Sequence, residues 1–227
     1  MNEIQIEIFH AIKNPEKWVE YTSGHASVLE HFGVKNLNSF KSTPCEHPEE
    51  YVLTARNLDG ALLGGIRIQL YNPDFKLPVV QALEGLDPRV NQVIFSDLDK
   101  GVAELCGLWI ARDHGRLGLA HYLIRAAIAY CPLLNAGIIY GISSPFAINI
   151  FLSLGYVVMS DVGNDGTYLY PTEEFLSTMV FVPNTRTLEF AEEQHRQIML
   201  YLRLHQTCTL SHIHKETECL VHYNLSI

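Results

Sequence analysis

The sequence predicts an α/β fold with a mixed central sheet, flanking helices and a C-terminal extension. Three stretches carry that prediction. Gly101–Cys131 reads as an apolar strand, a polar turn with glycines, then an amphipathic helix. Ile138–Ile142 is a second strand-like run beyond Pro132 and Gly137, completing a strand–helix–strand unit whose right-handed crossover sets the two strands parallel. Tyr51–Asn57 and Ala61–Leu70 flank Leu58-Asp59-Gly60, a hairpin signal that adds antiparallel strands.

The remaining elements follow in order. Glu3–His10 alternates polar and apolar residues and reads as a strand. Asn14 and Pro15 suit the cap and first turn of a helix expected to reach Phe32, with a break near Gly24 and Gly33 as its C-terminal cap. Lys35–Glu50 is polar, holds Pro44 and Pro48, and reads as loop. Gly64 and Gly65 inside a strand suggest a bulge or a close backbone approach. Tyr71–Lys100 is an insertion with a short helix at Val79–Leu86; it is either a functional loop beside a cleft or a packed surface excursion. The central helix is expected from Leu117, with Gly118 and Ala120 in its first turn. Pro145–Leu154 reads as a helix stopped by Gly155, Tyr156–Met159 as a strand and Gly163–Gly166 as a turn. Thr167–Pro183 is strand-like, Leu188–His205 is an amphipathic helix, and Glu218–Leu225 is strand-like again. No repeat or linker divides residues 1–227, so one domain is expected.

Composition narrows the function. Apolar residues make up 48% and charged residues 18% of 227, which supports a packed core and excludes disorder. A net charge of −9 argues against a nucleic-acid surface. No apolar run is long enough to span a bilayer, and the N-terminus is acidic where a secretory signal would be basic. Five unevenly spaced cysteines do not make a disulfide framework, so reduced thiols and a cytoplasmic location are expected. Nothing in the sequence fixes an oligomeric state.

Chemistry concentrates at the central turn. A helix N-terminus with free amides and small residues is an anion site, and Arg112 and Arg116 stand beside it. The run ELCGLWIARDHGRLGLAHYLI resembles the acyl-coenzyme A-binding motif of the GNAT N-acyltransferase superfamily: an apolar strand, a short polar loop, then Gln/Arg-x-x-Gly-x-Gly/Ala opening a helix. The six positions are Gly115, Arg116, Leu117, Gly118, Leu119 and Ala120. The fourth and sixth fit; the first holds glycine, with the arginine one place on. Ser144–Tyr156, SPFAINIFLSLGY, is similar to the later helix of that family, which ends Leu-Gly-Phe/Tyr. The resemblance covers residues 50–160, and residues 163–227 form the extension.

The resemblance implies a GNAT-type fold, acetyl-CoA or another acyl-CoA as co-substrate and a small-molecule amine as acceptor; no metal is expected. The backbone of Leu108, Trp109 and Ile110 would pair with the pantetheine arm. The turn Gly115–Ala120 would hold the pyrophosphate through the amides of Leu117, Gly118 and Ala120 and the Arg116 side chain. A bulky residue at Gly118 would then block the phosphate. Solvated charge at a helix start is the plainer reading of Arg112 and Arg116.

Acyl transfer to an amine needs a base for the ammonium proton and polarisation of the thioester carbonyl. Glu104 is the candidate base, since the resemblance matches its place on the strand to a glutamate that serves as base or orients a water in several such enzymes. A carboxylate among apolar residues tends toward a raised pKa, which suits that work. The other reading makes Glu104 a structural partner of Arg67 or another buried cation. Many members place a tyrosine acid where this chain has Phe151; Tyr140 and Tyr156 are near but match no motif position. Cys208, His212, His214, Cys219 and His222 are metal-ligand types at spacings that match no zinc pattern. Cys106 and Cys131 read as buried packing residues. Two further readings stand beside the acetyltransferase. One is a long-chain N-acyl amino acid or acyl-homoserine lactone synthase, which the insertion and extension favour. The other is a non-catalytic acyl-CoA-binding module.

Overall fold

The computed structural model describes residues 2–31 and 44–227, apart from the side chains of Asp113 and Arg116. The cap expected at Gly33 and most of the loop expected at 35–50 lie outside the described residues. In chain order the elements are β1 (Asn2–His10), α1 (Pro15–His31), β2 (Glu50–Asn57), β3 (Leu62–Leu70), α2 (Pro78–Leu83), α3 (Arg89–Ser96), β4 (Val102–Ile110), α4 (Leu119–Tyr130), β5 (Ile138–Ser143), α5 (Ile148–Ser153), β6 (Val157–Val158), β7 (Thr167–Leu169), β8 (Leu176–Val182), α6 (Glu193–Leu204), β9 (Thr207–His214) and β10 (Thr217–Asn224). The fold is α/β, with a mixed sheet and flanking helices. It resolves into two compact units, Met1–Arg67 with Gly107–Ala127 and Leu202–Ile227, and Ile68–Cys106 with Ile128–Tyr201.

In the first unit β1 is the axis. It pairs antiparallel with β2, from Ile4↔Asn57 to His10↔Tyr51, and parallel with β10, from Asn2↔Cys219 to Glu7↔Asn224. β9 closes that edge antiparallel to β10. The period-2 pattern of Ile4, Ile6 and Ile8 turns one buried face of β1 inward, where each is at most 5% exposed. Phe9, Trp18, Tyr21, Val52 and Trp109 cluster with α1. The predicted break at Gly24 is absent: α1 runs through it. A Cβ at Gly24 would overlap the Trp109 ring, so packing explains the glycine, not a kink. The two strand glycines behave as expected. A Cβ at Gly64 would come within 2.6 Å of the Trp109 carbonyl, and one at Gly65 within 2.8 Å of the Leu53 carbonyl.

In the second unit β4 and β5 run parallel, β5 pairs antiparallel with β8, and β6 and β7 also pair with β8. The insertion forms two helices where the sequence predicted one. Val79, Val80 and Leu83 of α2 and Val90 and Ile94 of α3 are buried in this unit's core, so the insertion is packed rather than open. The terminal helix is shorter than predicted, because Leu188 adopts φ 52° and α6 starts only at Glu193.

Asp87 ties the insertion to the 163–166 turn. Its carboxylate accepts from the Arg89 N–H at 3.0 Å, the Arg89 Nη2 at 2.8 Å and the Gly163 N–H at 2.7 Å. The Arg89 side chain, and then the Gly163 amide, hold this carboxyl well below the usual carboxylate range against the opposing effect of burial. A depressed folded-state pKa stabilises the fold at any pH above the unfolded value near 3.9, and that contribution fades as pH falls below it. Asp87→Asn is therefore expected to cost about 1.5–3 kcal/mol at neutral pH, with the gap to wild type narrowing as pH falls through about 4. Urea midpoints of both proteins at neutral and acid pH check this; a gap that does not change with pH would refute it.

Candidate functional site

The second half of β4 is bent at Gly107, which sits at φ 61° in mid-strand. Tyr21 on α1 donates its hydroxyl proton to the Gly107 carbonyl at 2.5 Å. Arg67 on β3 lies beside the same glycine and pairs with Glu50 at 2.5 Å, both side chains being buried. Burial first, and then the charge of Arg67, push the neighbouring His25 down to about 3. Leu108, Trp109 and Ile110 follow the bend. The Trp109 side chain is buried and faces α1, while Leu108 and Ile110 are half-buried. The chain then leaves the strand as the Ala111 N–H donates to the Leu63 carbonyl at 2.8 Å.

The helix after the glycine turn starts later than predicted. Arg112–Leu117 forms a 3-10 turn, Gly118 takes the left-handed conformation (φ 77°, ψ 14°), and α4 begins only at Leu119. The helix ladder opens with the Tyr122 N–H to the Gly118 carbonyl at 3.3 Å, so the Leu119 and Ala120 amides precede it. Left-handed backbone is what a glycine supplies without strain. A Cβ at Gly118 would lie 2.9 Å from Cγ of His214 and 3.0 Å from the Tyr122 hydroxyl oxygen. That corrects the expectation for a bulky residue here: its side chain would collide with the protein's own C-terminal hairpin. A Cβ at Gly115 would meet nothing within 4 Å. Arg112 places Nη1 3.2 Å from Nδ1 of His31 at the end of α1. The Arg116 side chain lies outside the described residues.

Glu104 belongs to the second unit. The β4–β5 ladder comprises Val102↔Ile138, Ala103↔Ile139 and Glu104↔Tyr140 and ends there. Glu104 is 2% exposed, and its Oε2 accepts the Val79 N–H at 2.7 Å, at the first turn of α2. The carboxylate thus anchors the insertion, a contact that sequence reasoning missed because nothing local places α2 against β4. Arg67, the partner named in the structural alternative, pairs with Glu50. Phe151 is buried, edge-on to Tyr156 with centroids 4.9 Å apart, as a core aromatic would be. Tyr140 donates to Asp97 at 2.6 Å; burial first, and then that hydrogen bond, raise its pKa. Tyr156 is buried, and burial holds its phenol well above the ordinary value, so it stays protonated. Cys131 is buried and Cys106 only half-buried.

The five tail residues do not converge. His212 bonds the Tyr223 hydroxyl at 3.1 Å, His222 meets Glu3 at 3.1 Å, and His214 faces the ring of His121 at 5.4 Å. Among the described residues no group of three His, Cys, Asp or Glu is placed to hold a metal ion. No described helix is long and apolar enough to cross a membrane.

The family model of the Acetyltransferase (GNAT) family matches residues 16–156. The chain belongs to that family. That span holds the β2–β3 hairpin, the glycine turn and the Leu-Gly-Tyr stop, and it makes this GNAT protein an acyltransferase. No curated protein matches the sequence. Among solved structures, the GNAT chain is similar in fold to FeeM, an N-acyl amino acid synthase from uncultured soil microbes. The TM-score is 0.66 at 16% identity, covering 87% of this chain and 99% of that one. It is also similar to BjaI, a CoA-dependent acyl-homoserine lactone synthase with SAM and isopentyl-CoA (TM-score 0.55, 14% identity, 86% and 87% covered). A third is TofI in a ternary complex with an inhibitor and MTA (TM-score 0.53, 11% identity, 84% and 99% covered).

Proposed function

We propose that this GNAT protein transfers an acyl group from a coenzyme A thioester to the nitrogen of a small-molecule amine. The observation that carries the reading is the ladder between β4 and β5, which ends after three pairs. Strand N–H and C=O groups released from a neighbour can pair with an extended, amide-bearing chain, and pantetheine is one. In this reading Leu108, Trp109 and Ile110 offer that backbone edge. The turn Gly115, Arg116, Leu117, Gly118, Leu119 and Ala120 receives the pyrophosphate, where the first amides of α4 precede its ladder. Glu104 takes the ammonium proton directly or through a water. The freed amine adds to the thioester carbonyl; as the tetrahedral intermediate collapses the C–S bond breaks, the new amide nitrogen gives its extra proton to solvent, the departing thiolate takes up a proton from solvent, and Glu104 releases the first proton to water. Residues 1–227 act as one GNAT-like domain, with the motif core at 50–160 and the extension at 163–227. Five free cysteines fit a cytoplasmic setting.

Acetyl is the simplest acyl group for this scheme. The second reading, a long-chain donor carried on coenzyme A or on acyl carrier protein, is favoured by a fold likeness that extends past the 16–156 core to 87% of the chain. Native mass spectrometry with acetyl-CoA, a long-chain acyl-CoA and an acylated carrier protein separates them. A complex with acetyl-CoA and not with the long-chain thioesters supports the first reading; the reverse supports the second. Failure to bind any of the three removes both.

A further inference from the structure

Arg125, on the second turn of α4, is 3% exposed, yet among the described residues it has no ion pair. Its Nε donates to the His121 carbonyl at 3.2 Å, and its guanidinium lies over the Tyr122 ring, 5.2 Å from the centroid. A buried guanidinium without a carboxylate is costly, and proteins ordinarily avoid it. The Tyr122 hydroxyl beside it is a second anomaly. Tyr122 is 2% exposed, and its hydroxyl has no hydrogen-bond partner among the described residues. That hydroxyl is directed at Gly118, the residue that opens α4. The C-terminal hairpin supplies the third group. His214, at the end of β9, packs on the same glycine and faces His121. His212 stacks on Tyr122 with centroids 4.8 Å apart. Burial first, and then the charge of Arg125, hold His212 down to about 4, and His214 is lowered by burial, Lys215 and Arg125 in that order. The field in this corner is positive, and none of the groups that make it is a carboxylate.

We propose that Tyr122, Arg125 and His214 form a seat for a phosphate-class oxyanion behind the opening turn of α4. The Tyr122 hydroxyl, which lacks a hydrogen-bond partner, and the Arg125 guanidinium, which has no ion pair among the described residues, would then meet one ligand. The seat is built from side chains of α4 and of the C-terminal hairpin, so it adds to the backbone amides of the turn and gives the extension a role in binding. The phosphate has two possible sources, free inorganic phosphate or a phosphate of coenzyme A; only the second rests on the acyl-CoA reading.

Two measurements on the full chain test this. The first is melting temperature in inorganic phosphate against chloride at matched ionic strength. The second is calorimetric affinity for coenzyme A and for pantetheine, which lacks phosphate. Tyr122→Phe removes only an unpartnered hydroxyl and is expected to keep the fold; Arg125→Met and His214→Ala are the companion variants. If the anion is free phosphate, phosphate raises the wild-type melting temperature above chloride, and Tyr122→Phe and Arg125→Met lose that rise. If it is a coenzyme A phosphate, these variants bind coenzyme A roughly tenfold or more weakly, while pantetheine binding is unchanged. The seat is overturned if phosphate gives no rise, or the same rise in all variants, and coenzyme A affinity stays within about twofold throughout. Should wild type bind no coenzyme A at all, the acyl-CoA reading fails by itself, and the phosphate arm alone decides the seat.

Discussion

Glu104→Gln is expected to slow acyl transfer by about two to four orders of magnitude, the usual cost of removing a general base. The structure makes this substitution more discriminating than the sequence could. Oε2 of Glu104 accepts the buried Val79 N–H, and the amide oxygen of glutamine can accept the same proton. The insertion should therefore stay anchored, with a loss of about 1 kcal/mol for exchanging a charged acceptor for a neutral one. Glu104→Ala leaves the Val79 amide without this acceptor and opens a cavity, and should cost about 2–4 kcal/mol. The pair separates the two roles of one carboxylate. Rate and melting temperature are measured on both variants. A Gln variant that is stable and keeps its rate within about tenfold would show that Glu104 is an anchor only. The acid limb of the pH–rate profile is the second readout, since it should vanish with the carboxylate.

Gly118→Val is expected to destabilise the chain by about 2–5 kcal/mol, combining left-handed strain at a β-branched residue with overpacking against its neighbours. Set against a typical stability of about 5–15 kcal/mol, much of the protein would unfold on modest warming. The Cβ would press on His214 and the Tyr122 hydroxyl. Gly118→Ala in a His214→Ala background should recover part of the loss, because the ring is gone while the backbone strain remains. Gly115→Ala is the control: open space surrounds its Cβ position, and its stability should stay within about 0.5 kcal/mol of wild type. Chemical-denaturation midpoints of the four proteins give the comparison. Equal effects at Gly115 and Gly118 would contradict the placement of the hairpin.

The local elements were legible because their signals are local. Asp59-Gly60 between two apolar runs marked the β2–β3 hairpin, and Gly60 takes φ 84° in it. The strand–turn–helix–strand pattern from Gly101 to Ile142 fixed the parallel pairing of β4 with β5 through its crossover. The same stretch supplied the glycine turn and Glu104 as candidate site residues. Two errors fell at element ends, at Gly118 and Leu188, where a positive φ precedes a later helix start.

What the sequence by itself determined is most of the elements, the faces they bury and the family motif, because periodicity and turn chemistry act over a few residues. The tertiary structure alone decided which distant groups meet. The alternation of β1 specifies a buried face but names no partner, so its parallel pairing with β10 from the far end of the chain could not be read from it. Gly24 had the look of a break until the Trp109 ring was found against it. Glu104 read as a base or an ion-pair member, and the fold gave it the Val79 amide as well. The tail histidines matched no zinc pattern and had no assigned place, and the hairpin laid His214 on Gly118 beside a buried arginine. Each of these contacts joins segments whose own patterns are already satisfied, and it is their packed surfaces, not their local sequence, that select one another.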